Sequence, residues 1–364
     1  MLKNFWWPLA FSSEVSRNPR RVTALQQEFV LYRLPDGRAN VLSDLCVHRG
    51  GALSDGWTRD DCIVCPYHGW EFKPDGACVR IPANPPSMPV PRKARVDAYP
   101  TLEKMQWVWA FLGDLPDAER PPVPALQEAG ATVIFTGDFT WHAPYDRVMG
   151  HLSEPAVAAL ALDGEFVAAP PTVAQASAEV GEWGARLTAR ITPPDRIERS
   201  FLGLVSKRAP AEACEAVVAF HMPCITLYRI GDDHMMMAHL PVSETTTVTK
   251  WMIAHKASTT EAEIARQRMT ASLERMRARV EGQPAPQHAI VQAFTRLHDE
   301  AIARGWGIDA HLIQAEYANI KAVVIPSPAR REVPELAAAW VMKEVPVKQA
   351  PSQSRTTHEP GQTA

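Results

Sequence analysis

Apolar and polar positions alternate in part between residues 22 and 45, as in Val22-Thr23-Ala24-Leu25 and Phe29-Val30-Leu31-Tyr32-Arg33. The run turns through Pro35-Asp36-Gly37 into Ala39-Asn40-Val41-Leu42, and this period of two predicts a hairpin of half-buried strands. Short strands are predicted at Ile63-Val64, at Trp70-Glu71-Phe72 before the turn Lys73-Pro74-Asp75-Gly76, at Val79-Arg80-Ile81 and at Trp107-Val108-Trp109-Ala110-Phe111. Such regular spacing marks residues 1–115 as a small all-β domain. A linker with four prolines follows, from Asp114 to Pro124. Beyond it, strands are predicted at Val133–Trp141 and near 184–192, 200–207, 216–230 and 234–255, most simply paired antiparallel. Thr260-Glu261-Ala262-Glu263 resembles a capping box, and Ile264, Met269, Leu273, Met276 and Val280 fit one face of a long helix. Further helix is predicted at 288–303 and 309–322, so residues 116–346 form a second domain of sheet and helices, α+β in class. The tail 347–364, rich in Pro, Ser, Thr and Gln, has almost nothing to bury and is predicted to be disordered.

Composition narrows the function classes. With 364 residues, 46% of them apolar, the chain can bury a core without disulfide staples. No run approaches the ~18 uninterrupted apolar residues of a membrane span. A net charge of −3 lacks the basic excess that a nucleic-acid surface requires. The start, Met1-Leu2-Lys3-Asn4-Phe5-Trp6-Trp7-Pro8, lacks the apolar centre of a secretory signal, and nothing apolar follows Arg20-Arg21 to make a twin-arginine signal, so a cytoplasmic location is expected.

Four of the six cysteines, Cys46, Cys62, Cys65 and Cys78, fall within 33 residues, which in a reducing compartment points to metal and not to disulfides. Two segments stand out: Cys46-Val47-His48-Arg49-Gly50-Gly51 and Cys65-Pro66-Tyr67-His68-Gly69-Trp70, with sixteen residues between His48 and Cys65. Each offers one thiolate and one imidazole. Two such loops facing one another suit a two-iron cluster, with the cysteines on one iron and the histidines on the other. The same four residues, or Cys62 with Cys65, could instead build a structural zinc site in a protein with no redox role.

The motif resembles that of Rieske non-heme iron oxygenases, the aromatic ring-hydroxylating and vanillate O-demethylase-like alpha subunits. The likeness extends from Asp44 to Gly56 and from Gly69 to Pro82. It implies a Rieske [2Fe-2S] cluster on Cys46, His48, Cys65 and His68, acting as an electron relay. Gly51 and Tyr67 stand where the respiratory-complex type has a bridging cysteine pair, which places the chain nearer the oxygenases. The implied fold is a Rieske β-domain followed by a curved antiparallel sheet wrapped by C-terminal helices, helix-grip-like.

In the family, a second domain holds a mononuclear iron on two histidines and one carboxylate. The frame of that segment is recognisable in Tyr145-Asp146-Arg147-Val148-Met149-Gly150-His151-Leu152-Ser153-Glu154-Pro155-Ala156-Val157-Ala158, but the ligands are not. Laid on it without a gap, Gly150 falls where the family has an Asp linking neighbouring subunits, and Ser153 and Ala158 take the histidine places. Asp309 resembles the family's iron carboxylate, and it also reads as an ordinary acid at a helix start. The resemblance therefore implies a chain lacking its own oxygen-activating iron, served by a ferredoxin or flavin reductase and assembled in a trimer-based ring with a related subunit whose iron site is intact. The alternative is a self-sufficient terminal monooxygenase of a small aromatic substrate, with iron rebuilt on His142, His151, Glu154 and Asp309.

Overall fold

The computed structural model describes residues 1–124, 133–154, 172–192, 196–199, 206–209, 213–230, 233–255, 259–309 and 325–329. The N-terminal part is all β. Strands β1 (Phe5–Phe11), β10 (Thr101–Lys104) and β11 (Trp107–Leu112) form one sheet in the order β1-β11-β10. A second sheet has the order β2-β3-β4-β9, from Arg20–Ala24, Gln27–Arg33, Ala39–Ser43 and Ala98–Tyr99. The predicted hairpin is present as β3 and β4, which are mostly buried, and β2 extends it to a three-stranded meander. A third sheet, β5-β6-β7-β8, is made of Trp57–Arg59, Cys62–Val64, Glu71–Phe72 and Cys78–Arg80. Strand β1 is missed by periodicity, because FWWPLAF is apolar throughout and buried at nearly every position.

The C-terminal part is built on a seven-stranded antiparallel sheet in the order β12-β20-β19-β18-β17-β14-β13. These strands are β12 (Val133–Trp141), β13 (Thr172–Val180), β14 (Gly184–Thr192), β17 (Cys214–His221), β18 (Ile225–Ile230), β19 (Asp233–Pro241) and β20 (Thr247–His255). Two short strands, β15 (Arg196–Arg199) and β16 (Ser206–Ala209), pair with each other. The long stretches expected at 216–230 and 234–255 each fold back as a hairpin, broken at Met222–Pro223 and beyond Pro241, where a continuous ladder cannot pass.

Helix α1 (Tyr145–Leu152) packs on β18 and β19, α2 (Thr259–Gly282) runs along β12, and α3 (Ala289–Ala301) crosses β13 and β14. Met269, Leu273, Met276 and Val280 are buried, as the helical period predicts. Among the described residues no helix is long and apolar enough to cross a membrane.

The helix-grip-like expectation is wrong. The sheet is open, with β12 at one edge and β13 at the other, and it does not curl closed around a helix. The sequence of β13 gives the reason: TVAQASAEV is exposed at all nine positions and offers no apolar row that curling could bury. The molecule is an all-β N-terminal domain joined to a mixed domain of open sheet and helices. The helix expected at 309–322 lies outside the described residues except at Asp309, and the tail 347–364 lies wholly outside them.

Two cores matter for function. The larger runs from Leu2, Phe5 and Trp7 through Trp109 to Met149 and Phe294, so the β1 sheet is packed into the C-terminal part. The smaller, with Val30, Leu42, Leu53, Ile63 and Phe72, lies under the two cysteine loops.

Candidate iron-sulfur centre and the second site

The two loops are built alike. In the first, Cys46 N–H donates to Gly51 O at 2.9 Å and Gly50 N–H donates back to Cys46 O at 2.9 Å. In the second, Cys65 N–H donates to Trp70 O at 2.9 Å and Gly69 N–H to Cys65 O at 3.0 Å. Each turn closes four residues after its cysteine, on a glycine with φ of 67° at Gly50 and 70° at Gly69, a region that side chains disfavour. The histidine sits one place later in the second loop, two residues after Cys46 but three after Cys65. Buried Asp44 anchors the first loop by accepting from Ser54 N–H at 2.6 Å and from Arg21 Nε at 2.9 Å.

Side chains from the two loops converge in pairs. Cys46 and Cys65 are each 2% exposed and share a thiol hydrogen bond. Accepting that bond from Cys46 pulls Cys65 down to about 6, and the N–H groups of Tyr67 and His68 pull the same way. Cys46 is pushed up by the same bond and by burial. The imidazoles of His48 and His68 meet with centroids 4.5 Å apart at 74°. Burial lowers the His48 pKa, with His68 and Arg49 adding to it, which favours the neutral form that binds metal.

The fit to a Rieske cluster can be tested on two atoms. His48 Nδ1 is buried without a hydrogen-bond partner, the state of a nitrogen that would face a metal. A Cβ on Gly51 would stand 3.2 Å from Cys65 Sγ and 3.4 Å from the Tyr67 Cβ, so the two loops touch where the respiratory type has its bridge. Two thiols on one side and two imidazoles on the other is the division that a two-iron cluster with Cys and His ligands requires. Among the described residues no group of three or more His, Cys, Asp or Glu side chains gathers to hold a single ion. Cys62 and Cys78 are buried free thiols pushed up in pKa mainly by desolvation, Cys62 to about 12 and Cys78 to about 11.

The second candidate region is organised differently. His151 is 1% exposed, and its Nε2–H donates to Gln283 O at 3.1 Å. Glu154 accepts from Arg279 at 2.5 Å and lies 3.4 Å from His288 Nε2. His142 is exposed, with its backbone N–H on Glu281 at 2.9 Å, and Asp309 is exposed near the Leu2–Gly307 bridge. A Cβ on Gly150 would stand 2.5 Å from that of Ala285, leaving no room for a carboxylate. Ser153 is fully buried with its hydroxyl unpartnered, and Ala158 lies outside the described residues. The four side chains considered for a rebuilt iron site are thus not brought together. Arg279, His288 and the Gln283 carbonyl, which hold Glu154 and His151, carry no sequence signal, because they come from the end of α2 and the turn after it, more than a hundred residues downstream.

The paired loops define the class: this chain carries a Rieske [2Fe-2S] domain, whose family description matches residues 5–100, joined to a domain of the Rieske-oxygenase fold. In sequence it is 38% identical over 128 residues to chlorophyllide a oxygenase of Chlamydomonas reinhardtii, covering 33% of this chain and 19% of that protein. It is 33% identical over 150 residues to the phenoxybenzoate dioxygenase alpha subunit of Ectopseudomonas oleovorans, covering 40% and 36%. The matches therefore span well under half of these relatives. In structure it resembles dicamba monooxygenase bound to 3,6-dichlorosalicylic acid, with a TM-score of 0.63, 21% identity, and coverage of 87% of this chain and 99% of that one. At that identity the likeness concerns the fold.

Proposed function

We propose that this chain is the Rieske subunit of an oxygenase system, taking electrons from a ferredoxin or flavin reductase and passing them to a related subunit that holds the mononuclear iron. Cys46, His48, Cys65 and His68 would hold the cluster, which when bound supplies one-electron transfer. The protein's own part is to bury both sulfurs and, through burial, to favour the neutral form of His48. The observation that carries the reading is that two cysteines and two histidines converge at the paired loops, whereas His142, His151, Glu154 and Asp309 do not gather among the described residues. A trimer-based ring would bring this cluster to a neighbour's iron. Six free thiols suit the reducing cytoplasm.

A second reading, a terminal monooxygenase complete in itself, is favoured by the comparisons: the likeness to dicamba monooxygenase runs the length of that enzyme. Oxygen uptake separates the two. With a reductase and a panel of small aromatic substrates, the chain alone is expected to show no substrate-dependent uptake, and a related subunit with intact ligands is expected to restore it. Uptake by the chain alone would establish the second reading.

A further inference from the structure

The two histidines of the paired loops are not held alike. The His48 ring lies flat on the indole of Trp70, with centroids 4.5 Å apart and planes 8° from parallel. Trp70 is itself only 7% exposed, packed in the smaller core and 6.4 Å from Phe72. His68 has no such support. Its aromatic neighbours, His48 and Tyr67, meet it edge-on at 74° and 73°, and Tyr67 is 71% exposed. An imidazole can turn about its Cβ–Cγ bond, and a flat contact with a fixed indole removes that freedom where an edge contact with a surface ring does not.

We propose that Trp70 is a positioning residue for the cluster: by stacking on His48 it fixes the ring whose buried Nδ1 would serve as a ligand, whereas His68 has only edge-on ring contacts. Trp70 contributes the second loop's grip on the first loop's ligand. It also accepts the Cys65 N–H through its backbone carbonyl, so one residue ties a thiolate and an imidazole to the same core. Loss of the stack would free the His48 ring to turn and weaken its hold on a bound cluster.

The test uses the loaded protein, whose visible absorption first establishes that the cluster is present, so failure of the cluster assignment is seen before any variant is read. Trp70→Leu is expected to shift the electron paramagnetic resonance signature and the midpoint potential, and to lose iron to a chelator about ten-fold faster, the size of effect that groups orienting a ligating histidine carry. Trp70→Phe, which keeps a ring in place, is expected to recover the signature, and Trp57→Leu, which removes an exposed indole on β5, to leave all three readings unchanged. If Trp70→Leu does not fold, Trp70→Met against Trp70→Phe is read in the same way. A leucine or methionine variant with unaltered resonance, potential and iron retention overturns the proposal. So does a Trp57→Leu that shifts them equally.

Discussion

The paired loops and the α1 region use histidine and other ligand-type side chains, and among the described residues only the loops bring them together. At the loops, donors from separate segments face one another. His48 Nδ1 is buried with no protein partner, and the two thiols meet each other. Around α1, His151 and Glu154 are also buried, but His151 Nε2 and the Glu154 carboxylate are engaged by α2 and the turn after it. Burial of an imidazole or a carboxylate is therefore a poor guide to a metal site. His151 Nδ1 is likewise buried without a partner, so what distinguishes the loops is that two cysteines and two histidines converge there.

The sharpest break of this contrast is Cys65→Ser. It removes one of the two cysteine ligands, and all Rieske absorption with the roughly two irons and two sulfides per chain is expected to vanish while the fold of the α1 region stays. Next in size is Gly150→Asp, which places a carboxylate against Ala285. It is expected to destabilise the chain by about 3 kcal/mol in denaturant melts without adding iron, because overpacking and a buried charge act together. Gain of a bound iron in that variant would show that α1 can still be opened into a metal site.

Acid titration comes third. His239 is wholly buried between Thr226 at 2.9 Å and Thr249 at 2.7 Å, and burial lowers its pKa from 6.5 to about 3. The folded state thus binds fewer protons than the unfolded one between those values, so stability falls as pH drops from 6.5 towards 3. Urea midpoints at pH 7 and 4.5 should differ in that direction, and His239→Phe should flatten the difference. The smallest effect is that of Glu154→Gln. Its partner Arg279 is 38% exposed, so solvent screening limits the cost to about 1 kcal/mol in the same melts. Cluster absorption should be untouched, and a change in it would join two regions that are separate here.

The cluster loops were legible in the sequence because their chemistry is local: each cysteine, its histidine and the turning glycine lie within five residues. The pairing of the loops was legible in their matched ligand chemistry and in the family resemblance. The hairpin of β3 and β4 followed from a period of two, and the buried face of α2 from a helical period. What was not legible depended on distant partners. Strand β1 reads as a featureless apolar run until β11 is beside it. The openness of the large sheet depends on β13, whose small and polar residues carry no strand pattern. The fate of His151 and Glu154 is decided by Arg279, Gln283 and His288, and no spacing rule connects them. Trp70 was visible as part of the motif, but its stack on His48 exists only once the loops meet.

The most direct test of the central claim is metal and sulfide analysis of the isolated, loaded chain, read with its electron paramagnetic resonance spectrum. Two irons and two acid-labile sulfides per chain, with the signature of a cluster bound by Cys and His, is the result predicted. A third iron, tightly held and lost on mutation of His151 or Glu154, would contradict it.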